Sequence, residues 1–346
     1  MAGSIRYPAP LAPGDRIGVT APSSGVPDPL WPRLDHAAAS LRDRGFEVEL
    51  GDCLRTPSHV SAPRHERADE LMRMLTDPAV RAVIPPWGGE TGIDLLDLLD
   101  FDAIAAADPT WVVGFSDTST LLTPLTVRTG IATIHGQNFM ETPYTQPSGI
   151  RHWLDIATAE RGATVAQHSP GRYRASGSDR WEEHPDVSEY TLDAVGTWAR
   201  IDPGHEGEPA TFSGRAIGGC VETVGFLGSR FADVPAFVRE CSPEGLVVYL
   251  DVCEWGAYDI CRTLHAMRLA GWFDHATGVL VSRTTAPDRP GFTQRDAVRD
   301  ALGILEIPII ADVECGHVAP HLAVVNGAPT TVALGGPTAT IVQRLA

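Results

Sequence analysis

Short apolar strands alternate with helical stretches through the first part of the chain, and this alternation limits the possible folds more than any other feature. Residues 16–20, 46–50, 80–84, 110–115 and 131–134 read as strands. Residues 30–44 and 65–76 repeat apolar side chains at helical spacing, and residues 93–99 read as a further helix. Strands separated by helices predict a parallel sheet covered on both faces, an α/β domain of flavodoxin- or Rossmann-like type. Such sheets bind ligands beyond the carboxyl ends of their strands. The loops at 21–25, 85–90 and 114–118 all follow strands, so they are expected to meet at one edge.

Between about 145 and 210 the character changes. Pro, Gly, Ser and charged residues dominate, with Trp153, Trp181 and Trp198 among them. Further short strands are expected at 247–250, 278–281, 309–313, 330–333 and 339–342, with at least two helices. The predicted organisation is an N-terminal α/β domain over 1–145, a connector with a Trp-containing insert over 146–210, and a smaller mixed β/α C-terminal domain over 211–346.

The 43% hydrophobic and 21% charged content predicts a soluble globular protein. No stretch approaches the ~20 apolar residues of a membrane span, and no signal-peptide pattern opens the chain, so a cytoplasmic location is expected. The net charge of −17 argues against a nucleic-acid polymer or an anionic membrane as partner. There is no lysine, which removes Schiff-base, Ser–Lys and Walker-lysine chemistry. The six cysteines show no Cys-x-x-Cys, and no zinc spacing links Cys and His. No cofactor or metal is expected.

In Gly114-Phe-Ser116-Asp-Thr118 an apolar strand gives way to a helical pattern through a serine, the layout of a nucleophile elbow. The same residues would also serve as an ordinary helix cap, and Thr118 stands where Gly-x-Ser-x-Gly has its second glycine, so partners are needed elsewhere. His317, after the apolar run 309–313 and next to Gly316, is the leading candidate base, with His135 as rival. Residues 246–250 deliver Asp251 at a strand end, with Glu254 three residues on, and either carboxylate could orient an imidazole. An oxyanion site needs two N–H donors: the amide of Asp117 is one, and Gly89 or Gly88 is the natural source of the other.

With these pieces in order, the chain resembles the serine LD-carboxypeptidase family, which includes the microcin C self-immunity peptidases. The resemblance rests on Leu11-x-Pro-Gly-Asp-x-Ile-x-Val-x-Ala-Pro-Ser23, Trp87-Gly-Gly-Glu90, Gly114-Phe-Ser-Asp-Thr-Ser119, Gly214-Arg-x-Ile-Gly-Gly-Cys220 and Cys315-Gly-His317. It implies a triad divided between two domains, with Ser116 as nucleophile and His317 as base. The family's acid is a glutamate where this chain has Asp251, a departure that keeps Glu254 open as the alternative. It also implies a homodimer acting on a small peptide or nucleotide–peptide substrate, with Trp87, Glu90 and Trp181 near that substrate. The immunity-like activity is favoured by the Trp-Gly-Gly-Glu loop, the Gly-Gly-Cys opening and Trp181 and Trp198 of the insert. Removal of a terminal residue from murein tetrapeptides is the alternative within the family. A non-catalytic small-ligand binding protein on the same fold is the alternative of another class.

Overall fold

The computed structural model describes residues 4–56, 58–335 and 339–345. Its first half supplies strands β1 (Arg16–Val19), β2 (Glu47–Leu50), β3 (Val80–Ile84), β4 (Trp111–Gly114) and β5 (Thr133–His135), with helices α1 (Trp31–Asp43), α2 (Arg64–Thr76), α3 (Phe101–Ala106) and α4 (Ser119–Thr129). These strands run parallel in the order β2-β1-β3-β4-β5, the flavodoxin-like order of doubly wound sheets. Burial on both faces explains why β3 and β4 read as nearly continuous apolar runs.

Two local differences from the sequence reading have clear causes. The helix expected at 93–99 is only a 3-10 turn, Gly92–Leu95. The helix begins later because the Asp100 side chain accepts the N–H groups of Asp102 and Ala103 and so caps α3. Helix α4 ends at Gly130, whose φ of +66° forms a left-handed C-cap.

The stretch 146–210 contributes helix α5 (Trp153–Ala157), strand β6 (Thr164–His168), the short pair β7 (Arg172–Tyr173) and β8 (Ala194–Val195), and β9 (Ala199–Arg200). Beyond it come β10 (Ala210–Cys220), α6 (Val221–Val224), α7 (Val234–Cys241), β11 (Leu246–Asp251), α8 (Ala257–Leu269), β12 (Ala276–Ser282), α9 (Gln294–Leu302), β13 (Ile309–Val313), β14 (Val324–Asn326), β15 (Pro329–Leu334) and β16 (Thr340–Arg344). A mixed eight-stranded sheet runs β6-β16-β15-β10-β11-β12-β13-β9. The segment read as connector and insert therefore supplies both edges of this sheet. Strand β14 crosses back and pairs antiparallel with β5 in the first sheet.

Helix α4 joins the two sheets. Thr123 donates to the carbonyl of Gly218 at 2.6 Å, and the Cys220 N–H donates to Ser119 Oγ at 3.1 Å. The helix that begins just beyond Ser116 is thus fastened to the end of β10. In the parallel register Cys220 lies beside Asp251. Among the described residues no helix is long and apolar enough to cross a membrane.

Candidate active site

Ser116 sits where β4 turns into α4, in a 3-10 turn Ser116–Thr118. Its φ is +63°, a left-handed conformation that costs a residue with a side chain and must be held by its surroundings. Gly114 makes the turn possible: a Cβ there would stand 2.7 Å from Asn138 Oδ1 and 2.8 Å from Thr118 Cγ2. Thr118, in place of the second glycine of the elbow pattern, folds back over Gly114. The Phe115 N–H donates to Asn138 Oδ1 at 3.2 Å, holding the turn from the other side.

The three loops meet as expected. A Cβ on Gly88 would lie 2.8 Å from Ser116 Cβ and 3.0 Å from the Asp117 nitrogen, so only glycine permits this approach. Gly89 has φ +146° and packs against Ser23 and Ser24, while Trp87 Nε1 donates to the Ser24 carbonyl at 3.2 Å. The Asp117 amide lies in the first turn of a helix, where N–H groups have no intrahelical acceptor. Its carboxylate faces the other way, accepting from the Gly92 N–H at 2.8 Å and the Thr120 hydroxyl at 3.1 Å.

The structure brings Ser116, His317 and Asp251 together. His317 Nε2 is 2.9 Å from Ser116 Oγ, and Nδ1 is 3.0 Å from both carboxylate oxygens of Asp251. An ionised carboxylate only accepts, so Nδ1 carries the proton that points at Asp251; in the neutral ring, Nε2 is then free to accept from the serine. Burial alone would lower the His317 pKa, but the charge and hydrogen bond of fully buried Asp251 hold it well above the usual histidine value. Burial would raise Asp251, yet His317 keeps it below the usual carboxylate range.

Glu254 does not reach His317. Its side chain is exposed, and its backbone N–H donates to Glu222 Oε1. His135, the rival base, lies fully buried behind Phe115, 5.0 Å ring to ring from Tyr249, and burial pushes it down to about 3. His321 beside it is likewise pushed down by burial, to about 4. These neutral rings form a floor beneath the site.

Open space flanks Ser116 on both sides. One cavity of about 410 Å³ is lined by Trp87, Glu141, Tyr144, Arg174, Trp181 and His317, and an adjoining space reaches from it to Ser116. A second cavity of about 270 Å³ opens on Ser116 from the other side, past Glu90 and Glu254. Trp181 donates from Nε1 to Tyr144 Oη at 2.9 Å, and the buried Arg33 guanidinium lies 5.0 Å from its ring. Trp198 instead is buried and bonded to Glu314, a packing role. Asn138 and Glu141 escaped sequence reading although their signal was legible: Asn-x-x-Glu directly after a strand is a capping box, and the structure contains it.

Ligand atoms of Cys220, Asp251 and His317 lie within 4.8 Å of one another, close enough to share a metal ion. Each is already engaged, however: the Cys220 thiol with Glu222, and the other two with each other.

Two family models account for most of the chain: the LD-carboxypeptidase N-terminal domain matches residues 17–136 and the LD-carboxypeptidase C-terminal domain residues 213–332. The chain belongs to the LD-carboxypeptidase family. It is 30% identical to a carboxypeptidase-family protein of Streptomyces coelicolor, over 93% of this chain and 91% of that one. It is 25% identical to the microcin self-immunity protein MccF of Escherichia coli, over 92% of this chain and 90% of the relative. The structure of MccF in complex with glutamyl sulfamoyl guanosine superposes with a TM-score of 0.76, at 21% identity and 97% coverage of each chain.

Proposed function

We propose that this protein is a serine-type carboxypeptidase or amidase that hydrolyses an amide in a small peptide or in a peptidyl or aminoacyl nucleotide conjugate. One observation carries the reading: an unbroken hydrogen-bonded line from buried Asp251 through His317 to a conformationally strained Ser116. Family membership and the likeness to MccF support the substrate class.

In this mechanism Ser116 Oγ attacks the amide carbonyl as His317 Nε2 takes its proton, while Asp251 holds the ring in the productive tautomer. The oxyanion rests on the N–H of Asp117 and that of Gly89, with Gly88 as the alternative donor. His317 then protonates the departing amine, and water resolves the acyl-enzyme through the same base. The Trp181 ring, which lines the cavity beside His317, stacks on the leaving group where that group carries a base. The family resemblance further implies a homodimer, and we place the protein in the cytoplasm; sedimentation of the purified chain and cell fractionation check those two points.

The test is turnover on a panel of aminoacyl sulfamoyl-adenosines and murein tetrapeptide, with Ser116→Ala alongside. That variant should lose on the order of 10⁶ in kcat, as nucleophile removal does in other serine hydrolases. Most activity retained would end the serine assignment. Binding without turnover by the parent protein would favour a ligand-binding role, and turnover of the tetrapeptide alone would favour murein processing.

A further inference from the structure

The two sides of Ser116 differ in charge, and the difference bears on what the site accepts. His317, which must hand a proton to the leaving amine, lines the space shared with Trp87 and Trp181 but not the smaller cavity on the other side. On the hydrolase reading above, the leaving group therefore occupies the Trp181 side and the acyl residue the smaller cavity.

That cavity is acidic and aromatic. Glu90, Glu222 and Glu254 line it together with Phe226 and Trp255, no arginine does, and the chain has no lysine. Glu222 is structural: Oε1 accepts the N–H groups of Cys253, Glu254 and Trp255 at 2.9, 3.0 and 3.2 Å, and Oε2 accepts from the Cys220 thiol at 3.3 Å. This cradle fixes the turn after β11 and hence where Glu254 starts. Glu90 and Glu254, by contrast, pair with no cation among the described residues. Burial, then the charge of Glu254, then that of Asp117 push the Glu90 carboxyl up, which marks these carboxylates as mutually repelling across the opening. Phe226, 62% exposed, meets Trp255 edge to face at 5.4 Å, so two rings stand beside the carboxylates.

We propose that this pocket selects an acyl residue bearing a positive charge on an aliphatic stem, an ammonium or guanidinium, over one bearing a carboxylate. The stem packs on Phe226 and Trp255, where a cation also gains from the ring faces, and the charged end relieves the repulsion between Glu90 and Glu254. A carboxylate in the same place would face two unpaired carboxylates with nothing to neutralise it. The pocket thereby parts from MccF, whose structure above holds a glutamyl group.

Lysyl-, leucyl- and glutamyl-sulfamoyl adenosine share one leaving group and isolate the acyl residue. They are compared as substrates of the full chain and, by calorimetry, as ligands of Ser116→Ala. The expected kcat/KM for lysyl exceeds that for glutamyl by about tenfold or more, with leucyl between, and the Kd values follow the same order. Replacing both Glu90→Gln and Glu254→Gln should shrink the lysyl-to-glutamyl ratio several-fold, mainly through KM. Equal or reversed preference overturns the pocket assignment and leaves the hydrolase reading standing. Undiminished turnover by Ser116→Ala overturns the serine assignment and leaves the order of kcat/KM to decide the pocket. No turnover of any conjugate by the parent protein overturns the hydrolase reading, and the order of the Kd values then decides the pocket by itself.

Discussion

Gly316 meets the carboxylate of Asp251 with no side chain between them: a Cβ on Gly316 would stand 2.2 Å from Asp251 Oδ1 and 2.6 Å from Ser282 Cβ. The turn carrying His317 can therefore approach the end of β11 more closely than any other residue at this position would allow. That closeness supplies the reach an aspartate lacks relative to a glutamate. Gly316→Ala must displace the turn, and a shift of about 1 Å at a reacting group can cost roughly 10² in rate. We expect kcat to fall by about that factor with KM little changed, read by steady-state kinetics. Asp251→Glu should also lower kcat, although glutamate is the residue the family resemblance implies, because the added methylene has no room beside Gly316 and Ser282.

On the proposed mechanism, the coupling of His317 to Asp251 sets the pH profile. A general base must be neutral, and His317 is held above the ordinary histidine value, near 6.5, despite the opposing effect of burial. The kcat/KM for a non-titrating substrate should therefore rise with pH along an acid limb displaced above about 6.5. Asp251→Asn removes the charge that raises His317, so the limb should move to lower pH. In the same variant kcat should drop by about 10⁴, because the Asn amide N–H₂ facing Nδ1 favours the ring tautomer whose proton sits on Nε2, toward Ser116. A parent acid limb well below 6.5 would contradict the coupling.

Much of this architecture was legible because local rules and tertiary context agreed. β3 reads as a buried strand from Val80 to Ile84 and is one. The loops holding Gly88, Ser23 and Ser116 could be assigned to one edge because parallel sheets place strand-terminal loops together. The choice between Asp251 and Glu254 was not legible, since three residues of spacing cannot say which carboxylate lies under the ring. It turns on Gly316, whose missing side chain matters only once β11 and β13 lie in one sheet. Nor could the sequence reveal that β14 returns to the first sheet, because a three-residue strand carries no periodicity.

Trp181 should act on binding rather than on chemistry. Its ring lines the cavity on the His317 side, fixed by its hydrogen bond to Tyr144 and by Arg33. Stacking on a base is worth ~1–3 kcal/mol, so Trp181→Ala should raise KM for a nucleotide conjugate by roughly 5- to 150-fold. The kcat/KM for a simple dipeptide amide should change far less. An equal loss on both substrates would mean that Trp181 only anchors the segment around it.

Glu141 gives a prediction about stability. Its Oε2 accepts the Asn138 N–H at 3.0 Å, the side chain lines the cavity beside Trp181, and burial pushes the carboxyl up from 4.5 to about 7. Between those two values the folded protein keeps a proton that the unfolded chain has released. Unfolding then sheds a proton, so this contribution to stability is fully present below about 4.5, declines as pH rises, and is gone beyond about 7. Glu141→Gln retains an oxygen to accept from Asn138 but cannot ionise. The difference in unfolding free energy between variant and parent should therefore move in the variant's favour from about pH 5 to about pH 8, as read from urea midpoints at fixed m-value. A difference that stays constant across that range would mean that the Glu141 carboxyl titrates as an ordinary surface acid.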